Sequence, residues 1–107
     1  MAHDRIKGNL DLLLLGVLRD GPAHGYQVIS TLKDRSDGEF DLAEGTVYPA
    51  LHGLESKGLV DSSWQTEDGR RRRVYRLSGI GERELAAQQA RWHRFSGAVN
   101  LVLGGAS

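Results

Sequence analysis

The sequence contains no cysteine, and this absence excludes several kinds of site at once. Without cysteine there is no disulfide, no thiolate-bound metal and no cysteine nucleophile. Long apolar runs are also lacking, because the longest, LLLLGVL at residues 12–18, is far too short to cross a bilayer. No leader of basic, then apolar, then small residues opens the chain. We therefore expect a cytoplasmic protein with no membrane partner.

The short motifs that mark common enzymes are missing as well. The sequence has no G-x-x-x-x-G-K phosphate loop and no serine or threonine in a nucleophile-elbow setting. The histidines show neither the i, i+4 pairing nor the adjacent carboxylates of a metal site; they are His3, His24, His52 and His93. We expect no enzymatic activity, no metal site and no cofactor.

Net charge is also absent, since 14 basic and 14 acidic residues balance. A neutral chain argues against a protein that coats nucleic acid indiscriminately. The charges are nevertheless clustered: Arg70–Arg73 and Arg76 crowd one segment, while acidic residues crowd residues 34–44. Any partner therefore meets a polarised surface.

Apolar spacing predicts three helices in the first half of the chain. Leucine and valine recur at helical spacing over residues 10–18, and RDGP at 19–22 ends that helix with glycine and proline. HGYQVISTLKDR at 24–35 predicts a shorter amphipathic helix. In the third helix Val47, Leu51 and Leu54 face inward at i, i+4, i+7. Other faces of that helix carry Thr46, Tyr48, Pro49 and His52.

The third helix contains a proline, which constrains where the helix begins. Proline is tolerated in the first turn, where its backbone nitrogen would lack a partner anyway, so we expect the helix to begin shortly before Pro49. Gly58 is placed to end it with a left-handed cap. Two runs rich in β-branched and aromatic residues follow, LVDSSWQ at 59–65 and RVYRLS at 73–78. Asp68-Gly69 between them predicts a hairpin turn.

From Gly79 onward the pattern is helical again, with an apolar stripe. Leu85, Trp92 and Val99 recur every seven residues, and Phe95 and Val102 do so three positions further on. At 107 residues the chain has room for one modest core. The predicted fold is mainly α with a small β-hairpin: a winged helix-turn-helix over 1–78 and a long C-terminal dimerisation helix with its tail over 79–107.

Three motifs in this order resemble the PadR-like family of bacterial transcriptional regulators. They are HGYQVISTL, EGTVYPALHGLESKGLV and GRRRRVYRLSGIGE, and together the resemblance covers roughly residues 10–85. The middle motif is the specific part, since helix-turn-helix periodicity alone occurs in many three-helix bundles. The resemblance implies a repressor that binds a dyad operator as a homodimer, with the third helix in the major groove and the hairpin as a wing.

The third helix then supplies the predicted contacts to double-stranded DNA, and its first turns suit groove binding. The Tyr48 ring can pack on a sugar or a thymine methyl, and Thr46 can reach phosphate or base. The alternative is that Tyr48 covers the core edge and Thr46 caps the helix. The acidic cluster near the helix start favours the helix dipole but repels DNA, so it either lowers affinity or faces away. The predicted contacts of this region are Thr46, Tyr48, Pro49, His52 and Lys57.

The arginine-rich hairpin is the second predicted DNA contact. Consecutive arginines on a strand alternate sides, so about half point away from the core. We assign Arg70, Arg71 and Arg72 to DNA, through phosphate or the minor groove. Arg73 is expected to pair with a carboxylate of the same domain, because packed residues follow it. The alternative for any single arginine is a solvated strand edge protected from aggregation.

The stripe on the final helix would be an exposed apolar band in a monomer, so we expect a second copy to cover it. The predicted interface residues are Leu85, Trp92, Phe95, Val99 and Val102. Trp92 has two interpretations, which the sequence leaves open. It packs within the interface, as tryptophan at a heptad core position more often does, or it faces a cavity that binds a small aromatic effector.

The leading hypothesis is therefore a homodimeric, sequence-specific DNA-binding repressor, released by a small aromatic effector if Trp92 faces a cavity. The alternative is a winged-helix adaptor that binds protein and not specific DNA. The arginine-rich hairpin favours the first hypothesis, because a protein-binding wing has no need of four guanidinium groups.

Overall fold

The computed structural model describes residues 8–104, and within them it contains four helices and a three-stranded antiparallel sheet. In chain order the elements are α1 (Leu10–Leu18), β1 (Ala23–His24), α2 (Gly25–Arg35), α3 (Glu44–Ser56), β2 (Val60–Glu67), β3 (Arg70–Leu77) and α4 (Gly79–Val102). This is the predicted winged helix with a long C-terminal helix. The predicted ranges 1–78 and 79–107 also include residues 1–7, with His3, and 105–107, which lie outside the described residues.

One hydrophobic core holds the first three helices and the base of the sheet together. The inward stripe predicted for α3 is confirmed, because Val47, Leu51 and Leu54 are all buried. Burying each such side chain contributes about 1.5 to 3 kcal/mol. The largest fully buried side chains are Tyr75, Leu14, Leu15, Leu51, Leu54, Val28, Val47 and Val60.

A third strand, which the sequence did not indicate, connects the helices to the wing. It consists of Ala23 and His24, which pair with Tyr75 and Val74 of β3. The sheet order is therefore β1-β3-β2, where a two-stranded hairpin was expected. Two residues are too few to show an alternating pattern, and only the pairing with β3 makes them a strand. This strand fixes the start of α2 beside the wing.

The start of α3 differs from the prediction. The helix begins at Glu44, with Ala43 as its N-cap, so Pro49 lies in the second turn and not the first. Proline there leaves the Gly45 carbonyl without its intrahelical donor. Gly45 and Pro49 are both exposed, so solvent can bond that carbonyl and the helix continues. The C-terminal end is as predicted, because Gly58 has a left-handed φ of 76°.

The hairpin matches its predicted turn but has longer strands. Asp68 and Gly69 have positive φ angles of 51° and 76°, as a two-residue turn of type I′ requires. Pairing runs from Val60 with Leu77 to Glu67 with Arg70. The whole run Arg70–Arg73 therefore belongs to a strand, and its side chains alternate between the two faces of the wing.

Helix α4 begins at the base of the sheet and extends beyond the core. Ser78 caps it, since its Oγ accepts a hydrogen bond of 3.0 Å from the Gly81 N–H. Leu85 is only 5% exposed and packs in the core of its own chain. The prediction that Leu85 lies in a dimer interface is corrected accordingly, because almost none of its surface is left for a second copy. None of the helices within residues 8–104 is long and apolar enough to cross a membrane.

Candidate nucleic-acid interface

Helix α3 presents an exposed stripe opposite its buried one. Gly45, Pro49, His52 and Ser56 follow at i, i+4, i+7 and i+11, and all four are exposed. Pro49 and His52 were predicted to lie away from the core, and the structure confirms it. Sequence reasoning missed Gly45, although a residue without a side chain lets a ligand approach the backbone closely. The stripe is narrow and continuous, as a helix face that enters a groove must be.

Thr46 and Tyr48 flank this stripe and are half-buried. Thr46 is not the helix cap, because Ala43 holds that position without a side-chain bond. The Tyr48 ring lies on Gly25 at the start of α2, where a Cβ atom would come within 2.4 Å of the ring. Only glycine at that position lets the ring sit there. Tyr48 thus covers the core edge, as one interpretation held, and its remaining surface faces outward.

Tyr26 extends the Tyr48 contact into an aromatic pair that sequence reasoning did not single out. The two rings meet edge to face, with centroids 6.3 Å apart. The Tyr26 hydroxyl donates a hydrogen bond of 3.1 Å to Oε1 of Glu44, in the first turn of α3. That bond raises the pKa of Tyr26, and burial raises the pKa of Tyr48. Both phenols therefore stay protonated, and the Tyr26 proton is engaged by Glu44.

The wing arginines divide into two pairs, one on each face of β3. Arg71 and Arg73 both lie over the ring of Trp64, so they share one face. Arg70 and Arg72 are on the other, and the Arg72 charge acts on His24. The prediction for Arg73 is confirmed, because its guanidinium lies 3.5 Å from a carboxylate oxygen of Glu55. Arg73 is thereby held within the domain.

A groove joins α3 to the wing. It has a volume of about 330 Å³ and lies between the start of α2, the first turns of α3 and the arginine strand. Three aromatic residues and four consecutive arginines contribute atoms to its walls. The structure thus brings Tyr48 together with all three arginines assigned to DNA. The lining residues are His24, Gly25, Tyr26, Tyr48, Trp64 and Arg70–Arg73.

Lys57 does not join this group. It lies just after α3, at the opposite end from Thr46, and a separation of eleven helical residues is about 16 Å. Its Nζ atom is 3.4 Å from Oδ2 of Asp11, on α1. The pair is largely exposed and therefore weak, yet it directs the ammonium group toward α1. Lys57 is thus separate from the groove, and its contact with DNA stays a prediction.

His24 has a structural role that no sequence pattern indicated. Its Nδ1 accepts a hydrogen bond of 3.3 Å from the Gln27 N–H, and the Gln27 side chain accepts one of 3.0 Å from the His24 N–H. This reciprocal arrangement is a capping box at the start of α2. Burial lowers the pKa of His24, the nearby Arg72 charge lowers it further, and Glu67 partly opposes them. The neutral imidazole is therefore the form that the fold selects.

Protein stability should consequently fall as pH drops below the ordinary histidine pKa of 6.5. The unfolded chain then binds a proton that the folded chain resists, so the free energy of unfolding decreases until the lowered pKa is passed. Asparagine caps helices well and does not titrate. We expect His24→Asn to remove this part of the pH dependence. The free energy of unfolding should then fall with pH by up to about 1 kcal/mol less than in the unmodified protein, since that is the usual contribution of a helix cap. Urea unfolding of both proteins between pH 7.5 and 5 measures the free energy of unfolding at each pH. The same change of that free energy with pH in both proteins would contradict the role assigned to His24.

In the part of the chain that the structure describes, no group of three histidine or acidic side chains could hold a metal ion.

Helix α4 leaves the core after Leu85, and Trp92, Phe95, Val99 and Val102 are 42%, 63%, 37% and 86% exposed. The Trp92 and Phe95 rings are 6.2 Å apart and face a groove against α1. The apolar stripe is thus present, and the residues described by the structure leave it largely exposed.

Comparison with known proteins agrees with this geometry. Residues 14–87 match the model of the transcriptional regulator PadR-like family. The chain is 34% identical to a transcriptional regulator of Mycobacterium tuberculosis, over 82% of this chain and 77% of that protein. It is 25% identical to an uncharacterized protein of Lysinibacillus sphaericus, over 98% of this chain and 97% of that protein.

Solved structures show the same fold. A PadR family transcriptional regulator of Eggerthella lenta has a TM-score of 0.82 and 33% identity, over 96% of this chain and 88% of that chain. Bacillus subtilis PadR in complex with operator DNA has a TM-score of 0.69 and 25% identity, over 75% of this chain and 45% of that chain. The family model spans most of the sequence, including all three motifs on which the resemblance depends. The chain therefore belongs to the PadR-like family of transcriptional regulators.

Proposed function

We propose that the protein is a sequence-specific DNA-binding repressor that occupies a dyad operator as a homodimer. The observation that carries the proposal is the groove in which Tyr48 of α3 meets Arg70–Arg72 of the wing. A neutral protein has no general attraction to DNA, so the local concentration of guanidinium groups must supply it. Because the ligand is operator DNA, we place the protein in the cytoplasm.

In this proposal α3 enters the major groove with its exposed stripe. An α-helix with its side chains is about 10 to 12 Å wide, which matches the groove of B-DNA. Pro49 and His52 then face base edges, and Gly45 allows the backbone to approach. Thr46 and Tyr48 reach the flanking sugars and phosphates, and the protonated Tyr48 hydroxyl can donate a hydrogen bond to a phosphate oxygen.

The exposed half of α4 supports homodimerisation. Its row of Trp92, Phe95, Val99 and Val102 is too apolar to remain in water, and a second copy offers an identical row. Related helices from two subunits would also hold two copies of α3 at a fixed separation. Dyad operators require such spacing, since their half-sites lie about one turn of DNA apart or a multiple of it.

Release by a small aromatic effector is supported by the groove around Trp92. This groove has a volume of about 590 Å³, and a flat ligand could stack on the Trp92 and Phe95 rings there. It is lined by Gly8, Asn9, Asp11, Leu12, Gln88, Arg91, Trp92 and Phe95. A ligand at this place would lie on the proposed dimer interface, so it could change the spacing of the two DNA-binding domains.

The salt dependence of DNA binding tests the proposal. We expect Arg71→Ala and Arg72→Ala each to lower the slope of log affinity against log salt by about 1, the value for one lost phosphate contact. Arg83→Ala is the matched control, because it removes an exposed arginine of α4 that does not line the groove. Fluorescence anisotropy with a duplex from upstream of the protein's own coding region measures the slope. Salt-independent binding, or unchanged slopes in both wing variants, would favour the protein-binding adaptor.

A further inference from the structure

The wing carries an exposed tryptophan to which the proposed DNA binding assigns no specific role. Trp64 lies in the middle of β2 and is 55% exposed, although indole is among the largest apolar side chains. It pairs directly with Arg73 across the hairpin. No sequence pattern distinguished it from an ordinary strand residue. Its surroundings are therefore cationic, not apolar.

Two guanidinium groups pack against the Trp64 ring. The Cζ atom of Arg71 is 4.9 Å from the ring centroid, and that of Arg73 is 5.4 Å away. Both distances are within the roughly 6 Å at which a cation over an aromatic face is attracted, and indole is the ring that attracts most strongly. The alternation of the strand explains the arrangement, because Arg71 and Arg73 project from the same face as Trp64.

The two arginines differ in what else holds them. Arg73 donates a hydrogen bond of 2.8 Å to Ser62 and lies 3.5 Å from the Glu55 carboxylate. Ser62 in turn donates to Glu55 at 2.5 Å, so Arg73 is anchored and its charge is balanced. No carboxylate within residues 8–104 forms an ion pair with Arg71. The guanidinium group of Arg71 contacts the Trp64 ring, and its positive charge stays uncompensated.

We propose that Trp64 is a positioning residue of the wing, which holds Arg71 in place for a DNA phosphate before DNA arrives. The proposal rests on the DNA-binding function proposed above. A guanidinium group stacks through its flat face and donates its N–H groups in the plane, so Arg71 can keep its contact with Trp64 while it bonds a phosphate. Holding the side chain beforehand reduces the rotamer freedom that is lost on binding.

A double-mutant cycle tests whether Trp64 acts through Arg71. We expect Trp64→Ala to weaken DNA binding about 2- to 5-fold, as an exposed cation–π contact implies. Trp64→Phe keeps an aromatic face and should retain most of the affinity. In an Arg71→Ala background, Trp64→Ala should change the affinity by less than about 1.5-fold, since the residue that it holds is gone. Equal losses in both backgrounds would overturn the proposal and indicate that Trp64 contacts DNA itself.

NMR of the free protein separates this proposal from the DNA-binding function. A proton above an indole face is shifted upfield, so the side-chain protons of Arg71 should be shifted in the unmodified protein. We expect the shift to persist in Trp64→Phe and to vanish in Trp64→Leu. Absence of the shift in the unmodified protein would overturn the positioning role even if DNA binding is normal. A clear shift in a protein without salt-dependent DNA binding would instead overturn the proposed function, and the positioning role with it.

Discussion

Gly81→Ala is expected to destabilise the fold by about 3 kcal/mol, the upper part of the usual range for overpacking a tight site. A Cβ atom on Gly81 would lie 1.9 Å from the carbonyl oxygen of Leu59 and 2.9 Å from its carbonyl carbon. Both are backbone atoms, so no side-chain rotation can relieve the contact. The start of α4 or the start of β2 would have to move.

Hydrogen bonds at the same junction oppose that movement. The Leu59 carbonyl accepts a hydrogen bond of 3.1 Å from the Ser78 N–H. The Ser78 hydroxyl donates to the Gly58 carbonyl at 2.6 Å and accepts from the Gly81 N–H at 3.0 Å. Together these bonds join the end of α3, the start of β2 and the cap of α4. Displacing α4 would break several of them at once, at about 1 kcal/mol for each.

Gly79→Ala is the matched control, since it changes the same helix two residues earlier. A Cβ atom on Gly79 meets nothing within 4 Å. Alanine favours a helix over glycine by up to about 1 kcal/mol, so this variant should be neutral or slightly more stable. Urea unfolding at one fixed protein concentration compares the two variants, because the stability of the proposed dimer would depend on concentration. A Gly81→Ala protein as stable as Gly79→Ala would show that the junction is looser than the structure indicates.

Elements with a repeating or turn-specific signal were predictable from the sequence. The buried stripe of α3 follows from three apolar residues at helical spacing, and the hairpin turn follows from Asp68-Gly69, because few residue pairs accept two positive φ angles. Strand β1 was not predictable, since Ala23 and His24 become a strand only by pairing with residues far along the chain. The start of α3 was misplaced because solvent exposure around Pro49 compensates for the missing N–H, and exposure is a tertiary property.

The sequence predicted which kinds of residue form the candidate site, but not which of them contact one another. A run of four arginines identifies a basic wing, and the ion pair of Arg73 followed from the packed residues after it. What the sequence could not supply is which residues meet across elements. Tyr26 contacts Glu44 of another helix, and Trp64 is opposite Arg73 only because of the hairpin register. Such contacts depend on how the helices and strands are brought together, so linear spacing contains no signal for them.

The second large effect concerns Val99→Asp, which should convert the protein to a monomer and abolish operator binding. Val99 lies in the middle of the exposed row on α4, between Phe95 and Val102. In the proposed dimer each subunit would bury a carboxylate without a partner, at a cost of several kcal/mol per subunit. In a monomer the new charge stays in water, so the fold itself should be unaffected. The change touches no residue that the proposal places against DNA.

Operator binding is lost in this prediction because the dimer sets the distance between the two copies of α3. A single DNA-binding domain retains its groove contacts, but it cannot bind two half-sites about one turn of DNA apart at once, and the gain from joint binding disappears. Asn100→Asp is the matched control, since it adds the same charge to an exposed neighbour outside the apolar row. We expect that variant to remain a dimer with normal operator affinity. Sedimentation velocity and anisotropy measure both properties, and a dimeric Val99→Asp protein that binds its operator normally would mean that the two copies associate through another surface.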